Sequence, residues 1–168
     1  MDDIGSAAGV TGPALYHHFP SKEAMLAYAL TPVSQRLLDG AVARIAEHTD
    51  ASAALAALVD FHVGFALENP AVITLHLHEL DRLPAESQRQ IRQTQRRYVT
   101  EWVSVLCQVL PDVPRVRAKA AAQAAFGLMN STPFLRQASE SSGAAGVPRS
   151  ELRRLLCTMA LSALLSTR

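Results

Sequence analysis

Along this chain apolar residues recur three and four positions apart, in blocks separated by Pro, Gly, Asn or Asp. Leu55, Leu58, Phe61 and Phe65 form one such stripe, closed by Asn69-Pro70, and Tyr98, Trp102, Val105, Leu106 and Val109 form another, closed by Pro111. That is the period of helices buried on one face; neither the two-residue alternation of strands nor a fixed-period repeat occurs. The punctuation predicts helices over 22–47 with a kink at Pro32, from a cap at Asp50 or Ser52 to residue 68, and over 71–83, 86–110, 116–130 and 149–166. Two short helices, 2–8 and 11–18, come first: Gly9 ends one, Thr11 caps the next, and Ser21 caps the long helix that follows. A Ser/Gly/Ala-rich loop occupies 139–147. The fold class is therefore all-α.

Composition supports this. Apolar residues make up 49% and aromatics only 5%, so the core rests on Leu, Ala and Val, of which Leu and Ala favour helices. A net charge of +1 gives no global pull toward nucleic acid or anionic membranes, so any DNA contact must come from a local patch. Cys107 and Cys157 lie in apolar helical stretches without a flanking pattern and read as buried, reduced core residues. The opening Met1-Asp2-Asp3 is acidic where a secretory signal would be basic. The apolar run Leu155–Leu165 is too short to span a bilayer and reads as a buried helix. These features predict a cytoplasmic protein without a membrane partner.

The densest punctuation lies in AAGVTGPALYHHFPSKEAML, Ala7–Leu26. Two short helices joined by a Gly-containing turn outline a helix-turn-helix, whose second helix enters the major groove. Thr11, Gly12, Pro13 and Ala14 then form the groove-facing start of that helix. Thr11 can bond a phosphate, and Pro13 or Ala14 can touch a thymine methyl. Tyr16 and His17, one turn on, reach phosphates, and Lys22 adds a charge at the next helix N-terminus. Ala7, Ala8, Val10, Leu15 and Phe19 would form the small core. Residue types alone also fit a plain helical hairpin, because the first 30 residues hold one lysine against three acidic residues.

The stretch Ile4–Leu26 resembles the helix-turn-helix signature of TetR-family transcriptional regulators. Ile4, Ala8, Gly9, Val10, Thr11, Leu15, Tyr16, His18, Phe19, Lys22 and Leu26 match it position by position, while Gly5 stands for the usual Ala and Gly12-Pro13 for a common Lys-Gly pair. The resemblance implies a reader in residues 1–30 and a helical effector-binding and dimerisation domain in 31–168. It also implies a further helix before the motif, and the expectation is that the reader of this chain lacks that first helix. Medium-sized apolar side chains left without their partner would each forfeit about 1–3 kcal/mol. Phe126–Pro133 is similar to one branch of such C-terminal domains and tilts the effector toward lipid-derived molecules.

In the larger part, Ala118, Ala121, Ala122 and Ala125 and, on the last helix, Leu152, Leu155, Leu156, Met159, Ala160 and Ala163 are the expected homodimer faces. The candidate lining of an effector cavity is Phe61 together with the effector-binding candidates His62, Phe65, His76, Tyr98, Trp102, Phe126, Met129 and Asn130, an apolar set with a few polar groups. His76-x-His78 is no metal site, because residues two apart on a helix point about 200° from each other. Neither a nucleophile–base pair nor a phosphate-binding loop is present, and no cofactor or enzymatic activity is expected. The expected function is a repressor that leaves operator DNA when a small apolar effector binds; the alternative is a ligand-binding, dimerising protein that no longer reads DNA.

Overall fold

The structure, a computed structural model of the chain, describes residues 19–135 and 147–167. The short helices expected over 2–8 and 11–18, and the 139–147 loop apart from Val147, lie outside the described residues. The described helices are α1 (Lys22–Ala46), α2 (Ala51–Glu68), α3 (Pro70–His78), α4 (Ala85–Val109), α5 (Arg115–Met129) and α6 (Arg149–Leu165), with a 3-10 turn, Leu80–Arg82, between α3 and α4. The fold is all-α, with no strand among the described residues.

Local chemistry sets the boundaries. Ser21 Oγ accepts from the Ala24 amide at 3.1 Å, and Asp50 Oδ2 from the Ala53 amide at 2.7 Å, so α1 and α2 each start with a side-chain cap. α4, α5 and α6 instead follow Pro84, Pro114 and Pro148, whose fixed φ aims the chain into the first turn. The helix expected over 71–83 breaks at Glu79. The 3-10 turn there redirects the chain and buries Leu83.

α2 sits at the centre, packed against α1, α4 and α6. With a mean hydropathy of 1.4 it is, by length and composition, apolar enough to cross a membrane. The sequence reading missed this by following the 155–165 run. Here Leu55, Leu58, Val59 and Val63 of α2 are wholly buried in the main core, with Trp102 and Leu106 of α4 and Met129 of α5. A smaller cluster joins Leu26, Ala27 and Leu30 of α1 to Leu83 and Ile91, with Val72, Leu75 and Leu80 beside it. α1 therefore belongs to both cores: its N-terminal half to the small one, and Leu38 and Ala41 to the large one.

The α1–α2 contact depends on Gly40. A Cβ there would lie 2.2 Å from Phe61 Cζ, and the Phe61 ring is itself covered by the Arg44 guanidinium, 5.7 Å from its centroid. Gly40→Ala should cost about 1 kcal/mol net, an overpacking penalty of about 1–3 offset by a helix-propensity gain of up to about 1. Urea denaturation should show that loss, and Gly40→Ala should add no further loss in a Phe61→Ala background.

The last two helices revise two expectations. Ala118, Ala122 and Ala125 are buried within the chain itself, where α5 packs on α4 and α6; the small face that α5 leaves exposed is Ala120, Ala124 and Gly127. α6 is not a wholly buried helix. Leu156, Ala160 and Leu164 face inward, whereas Leu155, Met159 and Ala163 are exposed. Cys107 and Cys157 are free thiols but only half-buried, because both sit at the edge of the main core. Cys157 Sγ lies 3.9 Å from Asp60 Oδ1, and burial first, then Asp60, pushes its thiol pKa up.

Candidate functional site

A cavity of about 390 Å³ lies between the two cores, walled by α1, α2, α3, α4 and α5. Its polar group is built around His62. His62 is 4% exposed and hydrogen-bonded at both ring nitrogens, to Tyr98 Oη at 2.8 Å through Nδ1 and to Asn130 Oδ1 at 3.0 Å through Nε2. Asn130 Oδ1 can only accept, so Nε2 carries the proton and Nδ1 accepts from the Tyr98 hydroxyl. Both partners are placed by helix geometry: Tyr98 points inward from the buried stripe of α4, and Asn130 is the C-cap of α5. Thr132 Oγ1 donates to the Ala66 carbonyl at 3.0 Å, tying the end of α5 back to α2.

Burial holds these groups neutral. It lowers the His62 pKa to about 4, against a smaller opposing effect of the Asn130 bond, and it raises the Tyr98 pKa. No Asp, Glu, Lys or Arg lines the cavity. Phe126 lies 5.1 Å from His62, 5.6 Å from Tyr98 and 4.9 Å from Trp102, ring centre to ring centre, and closes an aromatic box. The Trp102 indole N–H is buried and makes no hydrogen bond, although it lies near enough to the Tyr98 hydroxyl to hold back part of its pKa rise.

The second polar pair crosses from α3 to α1. His76 Nε2 lies 3.1 Å from Ser34 Oγ, and Nδ1 lies 3.3 Å from the Val72 carbonyl. The Ser34 hydroxyl also lies 3.0 Å from the Leu30 carbonyl, one turn back along α1, and its single hydrogen serves that carbonyl or His76 Nε2, not both. Burial lowers the His76 pKa, so this ring too is held neutral.

Of the residues singled out from the sequence, His62, Phe65, His76, Tyr98, Phe126 and Asn130 share the cavity wall. Trp102 and Met129 do not: they lie one layer deeper, 1% and 0% exposed, as the packing behind it. Phe61 points elsewhere, onto Gly40 and Arg44. His78 is exposed, on the opposite side of α3 from His76. Among the described residues no three His, Cys, Asp or Glu side chains converge as metal ligands. The sequence reading missed Ser34 and Leu37 of α1 and the stripe Val72, Ile73 and Leu77 of α3. The α3 stripe was visible as helical periodicity; nothing local marks the α1 pair. Thr11, Gly12, Pro13, Ala14, Tyr16 and His17 lie outside the described residues, and Lys22 is exposed in the first turn of α1.

An all-helical chain with an uncharged cavity walled by α1 to α5 is what the described residues present, and comparison with known proteins gives its family. Residues 1–29 match the family described as bacterial regulatory proteins of the tetR family, and residues 48–134 match the tetracyclin repressor-like C-terminal domain. The chain belongs to the TetR family of transcriptional regulators. Solved structures share its fold. A TetR-family regulator from Bordetella parapertussis superposes with a TM-score of 0.79 at 23% identity, over 98% of this chain and 84% of that one. PfmR, a TetR-family regulator from Thermus thermophilus, gives 0.74 at 21%, over 96% and 86%. FadR from Bacillus subtilis, in complex with stearoyl-CoA, gives 0.67 at 17%, over 98% and 86%. No curated protein matches the sequence.

Proposed function

We propose that this chain is a repressor that binds operator DNA as a homodimer and releases it when a small apolar effector fills the cavity. The observation that carries this reading is the place of Ser34 and Leu37: both line the cavity and both belong to α1. The same helix begins at Lys22, within the last part of the motif, so residues 1–30 act as the reader and 31–168 as the sensor, joined by one continuous element. An effector that reshapes the α1 wall prefers one position of α1 over another and shifts the population toward it. A preference of about 1.4 kcal/mol for the released state gives tenfold derepression. FadR, which shares this fold, is found in complex with stearoyl-CoA, and the acyl chain of that molecule supports an apolar group as what the cavity takes. This function places the protein in the cytoplasm, acting by binding and not by catalysis.

The exposed stripes Ala120, Ala124 and Gly127 on α5 and Leu155, Met159 and Ala163 on α6 support the dimer: small and apolar side chains one turn apart let two helix pairs close on each other. Leu155→Glu with Met159→Glu should give a monomer in sedimentation velocity, with far-UV dichroism unchanged. A dimer that persists would move the interface elsewhere.

Fluorescence anisotropy with DNA from the protein's own promoter region tests the reading. Lys22→Ala and Tyr16→Phe should each weaken binding about fivefold on every sequence, as a lost phosphate contact does, while substitutions at Ala14 should change which sequence is preferred. Binding should fall steeply with salt. If no promoter fragment binds, a ligand-binding, dimerising protein that does not read DNA takes its place.

A further inference from the structure

Beside the cavity runs a groove of about 600 Å³ on the outer side of α4 and α5. Gln95, Val99 and Gln123 belong to the walls of both, so the two compartments meet at these three side chains. They are opposite in character. The cavity has no charged lining, whereas the groove takes Arg92 and Arg96 from α4 and Arg115 and Lys119 from α5, with no Asp or Glu. Arg92 is paired with Asp81. Arg96, Arg115 and Lys119 form no ion pair among the described residues, so three cations face the groove uncompensated. Like charges gathered without counter-charges repel one another, and an anion bound between them relieves that repulsion. Guanidinium forks suit phosphate oxygens in particular.

We propose that the effector is an apolar chain bearing a phosphate-containing head group, with the chain in the cavity and the phosphate in the groove across Gln95 and Gln123. The proposal rests on the effector-cavity reading above and names the class of molecule that site takes. Either half alone engages only one compartment. Joined, the second contact becomes intramolecular and the affinity rises.

Calorimetric titration of the full chain with four probes tests this: dodecanoate, dodecyl phosphate, dodecanoyl-CoA and coenzyme A alone. At least one of the two phosphate-bearing chains should bind about tenfold or more tighter than dodecanoate, with an advantage that shrinks as salt is raised. Dodecyl phosphate as the tighter one puts the phosphate at the end of the chain; dodecanoyl-CoA puts it beyond a linker. Coenzyme A alone should bind weakly. Arg96→Glu with Lys119→Glu, both on exposed side chains, should erase the advantage, while dodecanoate, with one carboxylate to lose those cations, should weaken far less than either phosphate probe. Dodecanoate binding as tightly as both phosphate probes, or an advantage that survives the double variant, overturns the head-group proposal while the cavity reading stands. Failure of all three chain probes to bind overturns both.

Discussion

Lowering the pH from 7 to 4 should remove about 3 kcal/mol of folding stability through His62 alone. In the unfolded chain this imidazole titrates near its ordinary value of 6.5; in the fold, burial brings it down to about 4. Above pH 6.5 both states hold it neutral and the full stability is present. Between 6.5 and 4 the unfolded chain binds a proton that the folded one refuses, so stability falls with pH at about 1.4 kcal/mol per unit and levels off below 4. His76, lowered by the same cause, adds in the same direction. Surface carboxylates titrate in the lower part of this range, so the check is a difference: chemical denaturation of wild type and His62→Gln at several pH values. Glutamine can donate to Asn130 and accept from Tyr98 without titrating, so its curve should lack most of the drop. Parallel curves for the two proteins would mean that His62 is already accessible to protons in the folded state.

Trp102→Ala should cost about 3–5 kcal/mol, the usual penalty for emptying a large core site, because the indole underpins the aromatic box from behind. Its ring lies 6.0 Å from His62, 6.1 Å from Tyr98 and 4.9 Å from Phe126, and it is 1% exposed. Trp102→Phe should cost far less. It removes volume, but it also removes a buried N–H that makes no hydrogen bond, a donor whose desolvation costs about 1–3 kcal/mol in the native protein. Urea midpoints for the two variants separate the contributions. A Phe variant as unstable as the Ala one would show that the N–H is satisfied in solution, by water or by Tyr98.

The outline of the fold was legible because its signals are local. Ser21 and Asp50 cap helices through their own side chains, and prolines precede α4, α5 and α6, so those ends could be placed within a few residues. Much of the cavity wall was legible for a related reason: Tyr98, Phe126 and Asn130 are large or polar residues on apolar faces, where something must meet them. Trp102 obeys the same rule as Tyr98 one turn earlier, yet it packs behind the wall. Depth beneath a helix face depends on the neighbouring helices, which periodicity along one helix does not report. Ser34 and Leu37 escaped because α1 reads as a connector until α3 is seen to fold against it. The alanines of α5 were recognised as a close-packing face, but their partners are α4 and α6 of the same subunit. A small-residue stripe records how near a neighbour comes, and not whose neighbour it is.

The double attachment of α1 makes it a lever. The main core grips it at Leu38 and Ala41, which serve as the fulcrum, and the cavity touches it at Ser34, four residues away or about 6 Å along the axis. Lys22 lies sixteen residues from Leu38, about 24 Å out on the same side. On the proposed function, and with α1 moving as one rod across Pro32, a displacement of about 0.5 Å at Ser34 would be magnified about fourfold, to about 2 Å at Lys22, comparable with the helix shifts by which many switches work. The small cluster around Leu26 and Leu30 acts as the spring that this motion must work against. In the proposed regulator such gearing would separate two tasks: the cavity could change what it recognises while the stroke delivered to the far end stayed the same.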